Sequence, residues 1–205
     1  NFPKARYRAQ GGEPNPDFLN ADLFAAEVLE PFRQHFEGHT GPFVFEFQTI
    51  ARSDGLTGQS FADLLDTFFS HLPRDFPYAV ELRNREFLVA PYFAVLREHN
   101  VAHVFNSWTR MPPIGAQLDL PGVFSAPFVV ARVLLRPGRT YSEAVDAFAP
   151  YDRIQDPNPR LREDVARLIR QAAALRIPAY ILVNNRAEGS APLTIAAIAE
   201  QLAEP

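Results

Sequence analysis

The chain has 205 residues, 47% hydrophobic and 21% charged, as expected of one globular domain with a sizeable core. It holds no cysteine and a single lysine, Lys4, which excludes disulfides, thiolate chemistry, cysteine-held metals and most lysine-based covalent catalysis. A formal charge of −4 argues against a large basic footprint for nucleic acid, and no apolar run approaches the roughly 20 residues that cross a bilayer. With no export signal visible, the expected location is the cytoplasm.

The opening stretch, "NFPKARYRAQGGEPNPDF", reads as a loop. It has no initiator methionine, Met111 being the only one, so the sequence is expected to be the later part of a longer protein. A first helix is predicted from about Asp22 to Phe36, with Phe24, Val28, Phe32 and Phe36 on one stripe. Gly41 and Pro42 open a strand at Phe43. A second helix follows from Ser60 to Leu72, with Ser60 and Asp63 as its capping start and Phe61, Leu64, Leu65, Phe68, Phe69 and Leu72 along one face. "YAVELR" from Tyr78 is a strand, and "PYFAVLREHN" is a helix with Pro91 in its first turn and Asn100 at its exit.

Further strands begin at Val101, Phe128 and Ala179. Between the first two of these lies a proline-rich stretch, Met111 to Pro127. Helices are predicted over Tyr141–Phe148, over Leu161–Arg176 with Leu161, Val165, Leu168, Ile169 and Ala172 inward, and over Thr194–Leu202 with Ile195, Ile198, Ala199 and Leu202 at helical spacing. Five apolar strands separated by helices need crossover connections, hence a parallel sheet in an α/β fold and a single domain over residues 1–205. Five strands fit an open doubly wound sheet, or a TIM-type barrel whose first strands precede Asn1.

Polar groups gather at the ends of these strands. Glu46 and Gln48 share one face of the first strand, and Glu81 and Arg83 share a face of the second, because alternate residues of a strand point the same way. Arg132 interrupts an apolar run, and "AYILVNN" ends in Asn184 and Asn185. Parallel α/β folds bind ligands at the C-terminal ends of their strands. Two acids and two arginines also balance in charge, so the same residues fit a structural ion-pair set.

Trp108, after the third strand, is a candidate for stacking on a ligand, or for packing alone. Arg136 and Arg139 lie in a turn and read as solvated. His35, His39, His71, His99 and His103 show no metal-ligand spacing, so no metal site is expected, and His103 reads as a packed core residue. "NNRAEGSAP" precedes a helix but lacks the P-loop and G-x-G-x-x-G patterns, and no cofactor follows from it.

"YAVELRNREF", "LREHNVAHVFNSW", "VVARVLLRPGRTY" and "YILVNNRAEGSAP", in this order, resemble the domain of unknown function 72, also called YecE-like. The marks of that resemblance are Glu81, Arg83 and Phe87, the step from Leu96 to Ala102, Arg132, Asn184 and Asn185, and Gly189, Ala191 and Pro192. The resemblance runs from about Pro14 onward. It implies a TIM-type β/α barrel of which this chain supplies about strands four to eight. The family's glycine-rich opening and early Glu-x-Asn motif are absent. Asn84 stands where relatives carry a histidine after Glu-x-Arg, and Leu134 and Leu135 follow Arg132 where many carry another, so a mechanism resting on those imidazoles does not transfer.

The resemblance implies no reaction. The residues themselves suit a small anionic or polyhydroxylated ligand, held by Gln48, Arg83, Trp108, Arg132, Asn184 and Asn185, with Glu81 as the candidate general base. Phosphoester hydrolysis and sugar isomerisation are the reactions such a set would suit, and binding without catalysis fits as well. Nucleic-acid binding or processing through the arginines and Trp108 is an alternative that the net charge disfavours, and a non-catalytic interaction module is another.

Overall fold

The computed structural model describes Lys4 and residues 13–203; most of the opening stretch read as a loop, residues 1–3 and 5–12, lies outside the described residues, as do 204 and 205. The fold is α/β, with five parallel strands flanked by helices. It divides into two compact units at Ala102 and His103.

In the first unit β1 (Phe43–Phe47) and β2 (Tyr78–Leu82) pair in parallel, with Phe43 opposite Tyr78 and Phe47 opposite Leu82. All five residues of β2 are buried, which is why it reads as a nearly continuous apolar run. Ahead of β1, Asn20 caps α1 (Ala21–Phe24) by accepting the Leu23 N–H at 3.0 Å. A π-helical turn (Ala25–Leu29) follows, then α2 (Glu30–His35). The expected stripe holds for Phe24, Val28 and Phe32, all partly buried, with the Phe32 ring 4.9 Å from Phe43, and fails at Phe36. Phe36 follows the last residue of α2 with its backbone off helical geometry (φ −130°, ψ 21°) and is 50% exposed, while Leu29, in the π turn, is buried. Phe24 still meets β1, with ring centroids 5.9 Å from Phe43 and 4.8 Å from Phe45.

The helix α3 (Gly58–Ser70) begins two residues earlier than its expected start. Thr57 is the cap: its backbone is extended, its hydroxyl accepts the Ser60 N–H at 3.1 Å, and its own N–H donates to the Ser60 hydroxyl at 2.9 Å. Gly58 is needed because a Cβ there would lie 2.9 Å from the Val89 side chain. Phe61, Leu65, Phe68 and Phe69 are buried as the spacing predicts; Leu64 is exposed. Pro91 stands in the first turn of α4 (Ala90–Glu98), and Asn100, at φ 55°, leads out of it.

In the second unit β3 (Ala102–Ser107), β4 (Val129–Val133) and β5 (Ala179–Val183) pair in parallel in that order. The proline-rich stretch after β3 contains a short helix, α5 (Ile114–Leu118), whose residues Ile114, Gly115, Gln117 and Leu118 are buried. Thr140 and Glu143 form a capping box on α6 (Tyr141–Phe148). The long helix α7 (Pro159–Leu175) is capped by Asn158 and buries Leu161, Val165, Ala166, Leu168 and Ala172. The last helix, α8 (Ala191–Ala203), buries Thr194 and Ile198, whereas Ile195 is 50% exposed and Ala199 exposed.

Candidate functional site

Register brings the candidate residues of the first unit together. Glu46 and Glu81 are direct partners across the β1–β2 pair, so two carboxylates stand side by side on one face. Like charges opposed in this way repel, and more strongly when buried. Arg83, one residue beyond β2, answers the problem: its Nη2 lies 2.7 Å from Glu81 Oε1 and 3.3 Å from Glu46 Oε2. The Glu81 side chain is fully buried and that of Arg83 nearly so, while the Glu46 side chain keeps 29% of its surface exposed. Gln48 donates its amide N–H to Glu46 Oε1. The four residues singled out at this end of the sheet therefore form one connected set.

Behind them, Tyr92 of α4 is wholly buried, and burial first, then the Glu81 charge, pushes its phenol well above the ordinary value. Asn84 is a clamp. Its Oδ1 accepts the Ile50 N–H at 2.8 Å, and its Nδ2 donates to the Ile50 carbonyl at 3.0 Å and to Glu86 at 2.9 Å. That side chain fixes the loop after β1 to the loop after β2.

In the second unit, Arg132 is half-buried within β4, opposite Asn106 on one side and Leu182 on the other. Asn184 follows β5 and donates its backbone N–H to the Val133 carbonyl at 2.8 Å, which keeps it beside the end of β4. Its side-chain oxygen accepts the Arg186 N–H at 3.0 Å, and the Asn185 oxygen accepts the Ala191 N–H at the start of α8 at 2.8 Å. Both asparagine oxygens thus cap backbone, and their amide N–H groups are what a ligand could meet. Trp108 packs with Tyr151 against Leu135, Ala144 and Phe148.

Gln117 and Glu188 are buried polar residues with no counterpart among the sequence candidates. Gln117 donates to the Asn106 and Pro112 carbonyls, each at 2.7 Å, and its Oε1 faces His103 Nε2 at 3.2 Å. Glu188 is fully buried, accepts both the Asn158 N–H and the Arg162 Nε–H, and so fixes the loop after β5 to the start of α7. Neither belongs to a recognisable motif; a glutamate beside a glycine before a helix was the only signal for Glu188. Among the described residues no three His, Cys, Asp or Glu side chains gather as metal ligands would.

A family model described as a protein of unknown function, DUF72, matches residues 15–205. The fold is similar to the crystal structure of a DUF72 family protein from Enterococcus faecalis V583, with 14% identity and a TM-score of 0.62, over 89% of this chain and 66% of that one. It is also similar to a DUF72 family protein from Thermotoga maritima MSB8, with 16% identity and a TM-score of 0.57, over 90% of this chain and 65% of that one. The chain therefore spans about two thirds of the length of these solved relatives. No curated protein matches it. With the family match reaching from residue 15 to the C-terminus, the chain belongs to the DUF72 family.

Proposed function

We propose that the strand ends bind a small polyhydroxylated or anionic molecule, on a TIM-type parallel β/α barrel of which these are about strands four to eight. The observation that carries this reading is the join between buried and open parts of one polar set. Glu81 and Arg83 are out of solvent, while Glu46, tied to both Arg83 and Gln48, keeps 29% of its side chain exposed. A fixed carboxylate and amide at the surface of a buried ion pair offer an acceptor and a donor in set geometry, as hydroxyl recognition requires. For an anionic group the positive charge is that of Arg83, which a ligand reaches only by taking the place of the Glu46 carboxylate. In the second unit, taken by itself, Arg132, Asn184, Asn185 and Trp108 are the ligand-binding residues of this reading. In a catalytic form, as phosphoester hydrolase or sugar isomerase, Glu81 is the general base.

A second reading takes the set as structural, and full burial of Glu81 together with the capping roles of the asparagine oxygens favours it. A thermal-shift screen of phosphosugars, sugar acids and polyols separates the two, run on this chain and on Glu46→Gln, which keeps the side-chain shape. A true ligand at a hundred times its dissociation constant adds about 2.7 kcal/mol of stability. We expect such a hit, lost in Glu46→Gln. No hit across the panel, or a hit the variant retains, overturns the proposal in favour of the structural reading.

A further inference from the structure

The second unit contains a cavity of about 240 Å³ that uses none of the residues proposed above. Its apolar walls are Ile114 at the start of α5, Pro137 in the loop after β4, and Leu161 in the first turn of α7. Ser107, the last residue of β3, lines its buried side and is 1% exposed. The Ser107 hydroxyl oxygen accepts the Leu134 N–H at 2.9 Å. A hydroxyl also carries a proton to donate, and no hydrogen bond from it to an acceptor is found among the described residues. Ser107 therefore brings to the cavity wall a buried hydroxyl, anchored by the Leu134 N–H, whose proton a ligand acceptor can take.

The open side is cationic. Arg136 is held in place, its Nη1 3.2 Å from Asp156 and its Nη2 donating to the Pro157 carbonyl at 2.9 Å. Asp156 is shared with Arg139 at 2.8 Å, so two guanidiniums stand on one carboxylate. Arg160 is exposed, and no ion pair of its own is found among the described residues. The remaining charge in the lining is Asp164, which is set against Gly115 so closely that a Cβ there would lie 2.3 Å from its Oδ1. Two guanidiniums and one carboxylate line the cavity, and the start of a 17-residue helix adds to the positive side.

We propose that this cavity binds a small carboxylic acid with a single-ring apolar body. The carboxylate meets Arg160 and Arg136, the ring lies between Ile114, Pro137 and Leu161, and the Ser107 hydroxyl donates to an acceptor on the ligand. The size sets the class: the volume is below the roughly 300 Å³ at which pockets for drug-sized ligands begin. That leaves room for one ring and excludes a nucleotide.

The test is isothermal titration of the chain with phenylacetate and with its neutral isostere, phenylacetamide. The acid is expected to bind at least about tenfold more tightly than the amide, because only the acid engages the guanidiniums. Arg160→Ala, a change at an exposed side chain, is expected to remove most of that difference while leaving the amide's affinity unchanged. Equal affinity of acid and amide, no binding of either up to the order of 10 mM, or an Arg160→Ala variant that still prefers the acid would each overturn the proposal.

Discussion

His103 lies within β3 with 1% of its surface exposed, and the bonds around it decide its protonation. The Gln117 amide N–H groups are taken by the Asn106 and Pro112 carbonyls, so the Gln117 Oε1 faces the imidazole as an acceptor and His103 Nε2 carries the proton toward it. Burial pushes the imidazole from 6.5 down to about 4, with the Gln117 bond pulling weakly the other way. Between those two values the unfolded chain binds a proton and the folded chain does not. Stability contributed by neutral His103 is therefore complete above pH 6.5 and lost as pH falls toward 4, by about 3 kcal/mol. In urea titrations at pH 7 and 4.5 the parent should lose far more stability than His103→Phe, whose ring cannot titrate. Parallel pH profiles for the two would show that His103 is not the group responsible. The sequence suggested a packed core residue here because the histidine stands inside an apolar run. It did not show Gln117, because that partner's role is set by backbone carbonyls and not by any pattern in its own neighbourhood. Asn84 and Glu188 were hidden for the same reason: the backbone groups they hold lie 34 and 30 residues away.

Helix starts show where local pattern runs out. Thr57-x-x-Ser60 and Ser60-x-x-Asp63 are both acceptable capping spacings, and the apolar series that follows suits the second. The structure uses the first, because Thr57 has the extended backbone a cap requires (φ −96°, ψ 167°) while Ser60 is already helical. Asp63 instead accepts a hydrogen bond from Gln59 at 2.8 Å on an exposed face. The two placements predict different losses. Thr57→Ala should cost about 1 kcal/mol of stability, within the range for lost caps, and Asp63→Ala less than about 0.5 kcal/mol. Chemical denaturation of the two variants checks this, and a larger loss at Asp63 would return the cap to Ser60. By contrast the strands were legible almost to the residue, since β1 and β2 begin at the expected Phe43 and Tyr78 and β5 at Ala179. Short apolar runs bounded by proline and glycine leave few other choices. The π turn before Glu30 was not legible, because an extra residue in one turn leaves no compositional mark.

At the scale of the whole chain, an apolar strand does not reveal whether it will be covered. "YAVEL" and "AYILV" read alike, yet every residue of β2 is buried, while Tyr180 and Leu182 of β5 are 41% and 50% exposed. Among the described residues β5 pairs with β4 alone, and in the barrel proposed above its other edge is the one that takes the first strand. In the 205-residue chain by itself such an edge is a template for pairing with a second copy, and a net charge of only −4 gives modest repulsion against it. Placing a charge on that strand should reduce association, and register decides which charge. Leu182 lies opposite Arg132 in the β4–β5 pair, so a lysine there would face a like charge and a glutamate an opposite one. Leu182→Glu should therefore stay within about 0.5 kcal/mol of the parent in stability and show a smaller rise of light scattering with concentration. Scattering that rises as steeply in the variant would mean that β5 is not the surface through which chains associate, and unfolding of the variant would mean that Leu182 contributes to the core despite its exposure.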